Sequence, residues 1–192
     1  MPSKKNPSPM NYSKLNIAIH WASLLVMIAI FALVWTAPEN SEVTADPSLM
    51  PTRSLLMGLH ISFGLLLLFL TAARILLRFL VKQPALPNDM SGFMKFASRT
   101  VLVLILATIL VQILMGVGIV NGHGYPVSFF GWFDMPKIFD QNVDNAKAMG
   151  EVHKTLWIAI VVLLALHVVG ALYHHYVRRD QVLLRMLGRA KK

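Results

Sequence analysis

The sequence predicts an all-α integral membrane protein, a four-helix bundle formed by one domain that covers residues 1–192. Only 14% of the residues are charged and the mean hydropathy is +0.59, whereas roughly a quarter of the residues are charged in soluble domains. Four uncharged apolar stretches reach the roughly 20 residues that a helix needs to cross a bilayer, and in lipid such stretches must be helical. They cover about residues 15–37, 55–73, 100–120 and 155–177.

The basic residues are distributed unevenly between the two sides that four spans would create. Fourteen of the 18 fall on the side that carries both ends of the chain, whereas the opposite side holds four basic and seven acidic residues. An excess of Lys and Arg marks the cytoplasmic side, so both termini are predicted to be cytoplasmic. The net charge of +9 is therefore attributed to topology and to contact with membrane lipid, and it does not indicate nucleic-acid binding.

The chain contains no cysteine. This excludes disulfides, thiolate metal sites, iron–sulfur clusters and covalently attached haem. Histidine remains as the one strong candidate for a metal ligand.

Four histidines within the apolar stretches pair by depth. His153 and His167 are fourteen residues apart, which in a helix is about 21 Å and nearly four turns, so both lie on one face. His20 lies near the cytoplasmic end of the first helix, level with His167. His60 lies near the outer end of the second helix, level with His153. The pattern predicts two imidazole pairs, one in each leaflet.

Imidazole pairs of this kind predict two bis-histidine haems. Ionisable groups inside a membrane are costly and are usually functional, and two opposed imidazoles suit the axial positions of a haem iron. The inner iron would be held by His20 and His167, and the outer iron by His60 and His153. Polar contacts between helices and another metal are the alternatives, although zinc would require three or four ligands at each site.

Two further residues are candidates for the haem environment. Gly64 follows His60 by about one turn and would let a flat macrocycle approach, although ordinary packing of small residues explains it equally well. Arg74 follows His60 by fourteen residues and faces the bundle at the inner depth. It is a candidate partner for a haem propionate, and anchoring at the cytoplasmic surface is the alternative.

At this point the chain resembles a known family over nearly its whole length. The similar segments are, in order, "YSKLNIAIHW", "HISFGLLLLFLTAARILLR", "YPVSFFGWFDMP", "HKTLWIAIVVLLALHVVGALYHHYV" and "LLRML". They resemble the bacterial four-helix cytochrome b-561 family, in particular its superoxide oxidase-like members. Taken together, the His-Trp pair, the His-x-Ser-x-Gly motif and the His-His pair are fairly specific.

The resemblance implies a function and a location. It implies a bacterial inner-membrane protein with two non-covalent b haems that oxidises periplasmic superoxide to oxygen and reduces ubiquinone. It also implies a quinone site near His174, with Trp21 nearby; His174 lies seven residues after His167 on the same predicted stripe. The residues that match the family's haem ligands are His20, His60, His153 and His167.

The charges on the outer side bear on superoxide as a substrate. Lys154 stands where the family pattern has an acid, and together with Arg53 it would form a small cationic rim beside the outer ligands. Such a rim would attract an anion, whereas the outer segments together sum to a charge of −3, from four basic and seven acidic residues. Arg53 and Lys154 are therefore the candidates for superoxide approach.

Two alternative functions remain. The protein could be an electron-transfer cytochrome b subunit that serves a partner dehydrogenase and has no substrate site of its own. A more distant alternative is a non-redox metal transporter that uses the same histidines.

Overall fold

The structure, a computed structural model, describes residues 11–190. It contains four long helices. These are α1 (Lys14–Thr36), α3 (Met50–Leu80), α4 (Gly92–Gly122) and α5 (Val143–Leu172). The shorter elements are α2 (Asn40–Ala45), a 3₁₀ turn (Pro47–Leu49), the strands β1 (Ser128–Phe129) and β2 (Phe133–Asp134), a π-helical turn (Tyr173–Val177) and α6 (Val182–Met186).

Side-chain caps explain where three of the long helices begin. The Ser13 hydroxyl accepts the Asn16 N–H at 3.2 Å, and Ser91 caps α4 in the same way. Asn142 accepts the Asn145 N–H at 2.9 Å at the start of α5. These caps satisfy backbone donors that have no partner within the helix.

All four long helices are long and apolar enough to cross a membrane, as the sequence predicted. Several extend past the predicted spans, however. α4 begins at Gly92 rather than near residue 100, and α5 begins at Val143 rather than near residue 155. Hydropathy detects only the part of a helix that is apolar, whereas capped polar turns continue the same helix beyond it.

The long helices pack as two close pairs, α1 with α3 and α4 with α5. The seam between α4 and α5 depends on glycines. A Cβ on Gly118 would lie 2.1 Å from the sulfur of Met149, and a Cβ on Gly122 would lie 2.8 Å from that of Ala146. Small residues of this kind allow membrane helices to approach closely. Contacts between the two pairs are much sparser, and the α1 and α5 backbones make little contact.

The bundle has two distinct ends. The hairpin end contains α2, the β1–β2 hairpin and the start of α5. There the Phe130 N–H donates to the Ser62 hydroxyl at 2.9 Å, which joins the hairpin to α3. The basic end contains the start of α1, the α3–α4 connection and α6. There the Trp21 indole donates to the carbonyl of Met186 at 3.3 Å, which holds α6 against α1.

Candidate functional site

His20 of α1 and His167 of α5 face each other in the basic half of the bundle. Their ring centroids are 6.3 Å apart and the ring planes are inclined by 66°. Both side chains are half-buried. The structure thus brings together two residues that the sequence had paired only by depth, from helices whose backbones make little contact.

His60 of α3 and His153 of α5 form a second pair in the half toward the hairpin. Their ring centroids are also 6.3 Å apart, with an angle of 74° between the planes. Both pairs therefore place a histidine of α5 opposite a histidine of the α1–α3 pair. The two pairs have nearly the same geometry at two depths.

The separation of 6.3 Å in each pair suits a metal ion between the rings. A histidine nitrogen lies roughly 2 Å from a bound metal and about 1.1 Å from the centre of its own ring, so imidazoles on opposite sides of one ion have centroids about 6 Å apart. Two imidazoles joined by an N–H···N hydrogen bond would have centroids about 5 Å apart. The separation therefore fits two imidazoles on one metal ion better than a direct hydrogen bond between the rings.

His153 is oriented by α4. Its Nδ1–H donates to the backbone carbonyl of Gln112 at 2.9 Å, and the Gln112 side-chain amide donates to the His153 carbonyl at 3.1 Å. Because a carbonyl only accepts, Nδ1 carries the proton and Nε2 is left free to bind a metal. Gly116, one turn after Gln112, makes room for the ring: a Cβ there would lie 3.3 Å from His153 Cε1.

The other ligand candidates are held less firmly. The Nδ1 atoms of His20 and His60 are buried and make no hydrogen bond of normal geometry within the described part of the chain. The backbone of Ile30 lies near His60 and offers a candidate acceptor. A metal-ligating imidazole usually donates its second N–H to such an acceptor.

Gly64 borders open space. A Cβ added to Gly64 would meet no atom of the described chain within 4 Å, in contrast to Gly118 and Gly122 of α4. No neighbouring helix of the described chain therefore packs closely against Gly64, and a flat group would have room there.

Arg74 lies near the pair of histidines in the basic half of the bundle. This half-buried side chain interacts electrostatically with both His20 and His167, and also with Tyr12. Within residues 11–190 it forms no ion pair with a carboxylate. A cation in such a position suits an anionic group bound between the two histidines.

The two cations predicted for superoxide approach already have protein partners. Arg53 donates to the backbone carbonyl of Pro38, so it closes the connection between α1 and α3. Lys154 forms an ion pair with Glu151 at 3.0 Å, and both side chains are about three-quarters exposed. Exposed pairs of this kind are weak and rearrange readily.

Trp21 and His174 both lie at the basic end. The Trp21 ring contacts His20 edge-on, with centroids 5.1 Å apart. His174 lies in the π-helical turn rather than on a continuous α-helical stripe, because α5 ends at Leu172. The side chain is nevertheless buried, with only 7% of its surface exposed.

Sequence reasoning missed Asp180 and Gln112. Asp180 lies 2.5 Å from Nδ1 of His174. It is one of two acidic residues on the strongly basic side of the chain, the other being Asp89, and Arg178 contacts both of them. This isolated position among basic residues was the available signal for Asp180. For Gln112, the signal was an amide within an apolar span.

Comparison with known proteins is consistent with this arrangement. The family model described as "Prokaryotic cytochrome b561" matches residues 11–189. "Cytochrome b561 homolog 2" of Escherichia coli (strain K12) is 29% identical over 191 residues, 95% of this chain and 94% of that protein.

Two further relatives carry different names. "Probable superoxide oxidase CybB" of Yersinia pestis is 29% identical, over 94% of this chain and 97% of that protein. "Cytochrome b562" of Cereibacter sphaeroides is 29% identical, over 92% of this chain and 94% of that protein. Because the family match spans nearly all of the described residues, the chain belongs to the prokaryotic cytochrome b561 family of membrane electron-transfer proteins.

Proposed function

We propose that this protein is a superoxide:ubiquinone oxidoreductase of the bacterial inner membrane, with two non-covalent b haems. The observation that carries the proposal is the pair of matching imidazole sites at two depths of the bundle, each with centroids 6.3 Å apart. A b-type haem is implied by membership of the family. Bound at these sites, haem would supply one-electron transfer between the two ends of the bundle.

The residues assigned to each haem follow from the site. His60 and His153 would hold the haem near the hairpin end, with Gln112 and Gly116 orienting His153 and Gly64 leaving room beside His60. His20 and His167 would hold the haem near the basic end, where Arg74 would pair with a propionate. Because the protein would supply two imidazole ligands to each iron, oxygen binding at iron would be disfavoured.

The overall reaction balances with two superoxide anions for each quinone. Two superoxide anions are oxidised to two molecules of oxygen, and one ubiquinone takes up the two electrons and two protons to form ubiquinol. Superoxide as the donor is supported by the name of the Yersinia pestis relative. The hairpin end would face the periplasm and the basic end the cytoplasm, in keeping with the distribution of Lys and Arg.

At the basic end His174 would contact the quinone, with Trp21 nearby. Quinone reduction takes up protons, and histidine is the side chain best suited to proton transfer near neutral pH. His174 is buried and lies in the π-helical turn that follows α5, seven residues beyond His167. A His174→Ala variant should keep both haems and their spectra but should be reoxidised more slowly by ubiquinone. Unchanged reoxidation would remove His174 from the site.

Rapid mixing of the oxidised protein with superoxide tests the donor. The wild type should be reduced quickly, and the rate should fall as salt rises, because attraction over roughly 8–10 Å is screened at ordinary ionic strength. An Arg53→Ala/Lys154→Ala variant should be slower, most of all at low salt. The matched control is Lys137→Ala/Lys147→Ala, which removes the same charge from the same side; Lys147 also forms an exposed pair, with Asp144 at 3.6 Å.

The outcomes of this experiment separate the candidate functions. If superoxide reduces only the Arg53→Ala/Lys154→Ala variant more slowly, the result supports a cationic approach beside His60 and His153. If it reduces both variants equally slowly, the result indicates only a general effect of charge. If superoxide does not reduce the wild type while another donor does, the protein is an electron-transfer subunit that serves a partner. A colourless protein with normal folding would contradict both redox functions.

A further inference from the structure

The segment that follows α5 folds back and places a carboxylate against His174. The distance between Asp180 Oδ2 and His174 Nδ1 is 2.5 Å, and the two side chains are only 12% and 9% exposed. The Asp180 backbone N–H also donates to the carbonyl of His174 at 3.1 Å. Arg179, at φ +55°, makes the tight turn that allows this return.

A π-helical turn brings His174 into this position. The Arg178 N–H donates to the carbonyl of Tyr173, five residues earlier, at 3.1 Å. π turns occur at the C-terminal ends of α-helices, and the extra residue in the turn changes the direction of the side chains that follow. Here His174 is buried, whereas Tyr173 and Tyr176 on either side are exposed.

Asp180 is held in place by other contacts. Its Oδ1 accepts the Val182 N–H at 3.0 Å, and its Oδ2 lies 3.4 Å from Arg178 Nε. Arg178 also contacts Asp89 of the α3–α4 connection at 2.5 Å. Burial raises the pKa of Asp180, but the hydrogen bonds from His174, Val182 and Arg178 outweigh it and hold that pKa below its usual value. Asp180 is therefore a carboxylate at neutral pH.

We propose that Asp180 is the positioning residue of a proton-transfer dyad in which His174 donates a proton to the reduced quinone. This inference rests on the quinone site of the proposed function. The carboxylate accepts a hydrogen bond from Nδ1–H and so leaves Nε2 as the nitrogen that faces the ligand. In the same way, the buried aspartate of a catalytic triad fixes the tautomer of the histidine and stabilises its protonated form.

The proton balance of the step is simple. Quinone receives two electrons, one at a time, from the reduced protein. One quinone oxygen forms its O–H bond with the proton that leaves Nε2 of His174, and His174 becomes neutral while it keeps Nδ1–H on Asp180. Water at the basic end then reprotonates Nε2. The second proton of the quinol comes from solvent.

Other ionisable groups face the dyad from the elements around it. Arg178 comes from the same segment and forms an ion pair with Asp89 of the α3–α4 connection. Tyr173 packs edge-on against the His174 ring, with centroids 6.1 Å apart. Arg185 of α6 donates a hydrogen bond to the carbonyl of Ala85. Asp180 is the group among these that touches a ring nitrogen of His174.

Asp180→Asn tests the dyad, with Asp89→Asn as the matched control. Each variant removes one carboxylate from the contacts of Arg178, but only the first removes the carboxylate on His174. The measurements are the haem spectra, the rate at which ubiquinone reoxidises the reduced protein across the neutral pH range, and the ¹⁵N chemical shifts of the histidine rings. The ¹⁵N shifts report the His174 tautomer without turnover.

Asp180→Asn should keep both haem spectra and slow reoxidation by about tenfold or more, as is typical for loss of a residue that orients a functional imidazole. Its pH profile should differ from that of the wild type, because the imidazole loses the carboxylate that lies on its Nδ1. The Nδ1–H tautomer of His174 should predominate in the wild type and be lost in Asp180→Asn. Asp89→Asn should change the rate by no more than a few-fold, since the Asp89 side chain is 73% exposed and does not touch His174.

A second variant, Asp180→Glu, tests the dyad if Asp180→Asn does not fold. Asp180→Glu keeps the carboxylate, and it should retain the wild-type pH profile even if its rate is lower. If Asp180→Asn and Asp89→Asn behave alike and neither the profile nor the tautomer changes, the carboxylate is only structural and the dyad is wrong. If ubiquinone fails to reoxidise even the wild type, the proposed quinone function fails, and the dyad fails with it.

Discussion

His153 and Gln112 are joined by two hydrogen bonds that run in opposite directions. The imidazole Nδ1–H donates to the carbonyl of Gln112, and the Gln112 amide donates to the carbonyl of His153. These contacts tie α5 to α4 at the depth where α5 faces His60 across the bundle. The α4–α5 pair therefore presents His153 already oriented, whereas His60 on α3 has no comparable tie.

Gly116→Ala should weaken haem binding at the hairpin-end site. The new Cβ would lie 3.3 Å from His153 Cε1, so the ring or the helix must move by a few tenths of an ångström. We expect about a tenfold loss of haem affinity at this site and normal occupancy at the other. Haem titration with optical spectra measures both. Gly150→Ala, where a Cβ meets nothing within 4 Å, is the control and should bind haem normally.

Replacing the histidines should remove the two haems pair by pair. His20→Ala and His167→Ala should each empty the basic-half site, and His60→Ala and His153→Ala should each empty the other, because the two imidazoles of each pair would hold one haem. Haem quantitation should give two haems per chain for the wild type and one for each variant. The pairing would be wrong if His20→Ala and His60→Ala emptied the same site.

Gly122→Ala should destabilise the contact between α4 and α5. The added Cβ would lie 2.8 Å from the Cβ of Ala146 and 2.9 Å from the backbone oxygen of Asn142, which cannot move aside as a flexible side chain would. Overpacking of this kind costs typically 1–3 kcal/mol. Thermal unfolding in detergent measures the change. Gly92→Ala, at an open position at the start of α4, should be neutral or slightly stabilising.

Both termini should be cytoplasmic. The reason is the excess of Lys and Arg at the basic end, which cells retain on the cytoplasmic side. A reporter that is active only in the cytoplasm should be active when it is fused after Lys192. A reporter that requires the periplasm should be active only in loops of the hairpin end. The reverse pattern would invert the donor and acceptor sides of the proposed reaction.

Acid should loosen the segment that carries Asp180. Because the pKa of this carboxyl is depressed in the folded protein, its contacts add stability above the ordinary value of 3.8, and this stability is lost as the pH falls below that value. Hydrogen exchange of residues 178–190, compared at pH values above and below that point, measures the loss. In Asp180→Asn the segment should be less protected at neutral pH and should show little further change in acid. Equal acid sensitivity in that variant would assign the effect to another group.

The sequence alone determined the four helices and the depths of the histidines. Both depend on local properties: the length of an apolar run and the periodicity of a helix. The prediction therefore holds for the four apolar helices, and the structure brings His20 to His167 and His60 to His153. Polar helix ends were predicted less well, because capped turns carry no hydropathy signal.

Only the tertiary structure decided which groups hold these histidines. Gln112 and His153 are separated by 41 residues and meet because glycines let α4 approach α5 closely. Asp180 meets His174 because α5 ends in a π turn and the chain reverses at Arg179, neither of which regular helical periodicity predicts. Contacts of this kind depend on how closely two helices pack and where a chain turns back, and these are properties of the packed bundle rather than of any one segment.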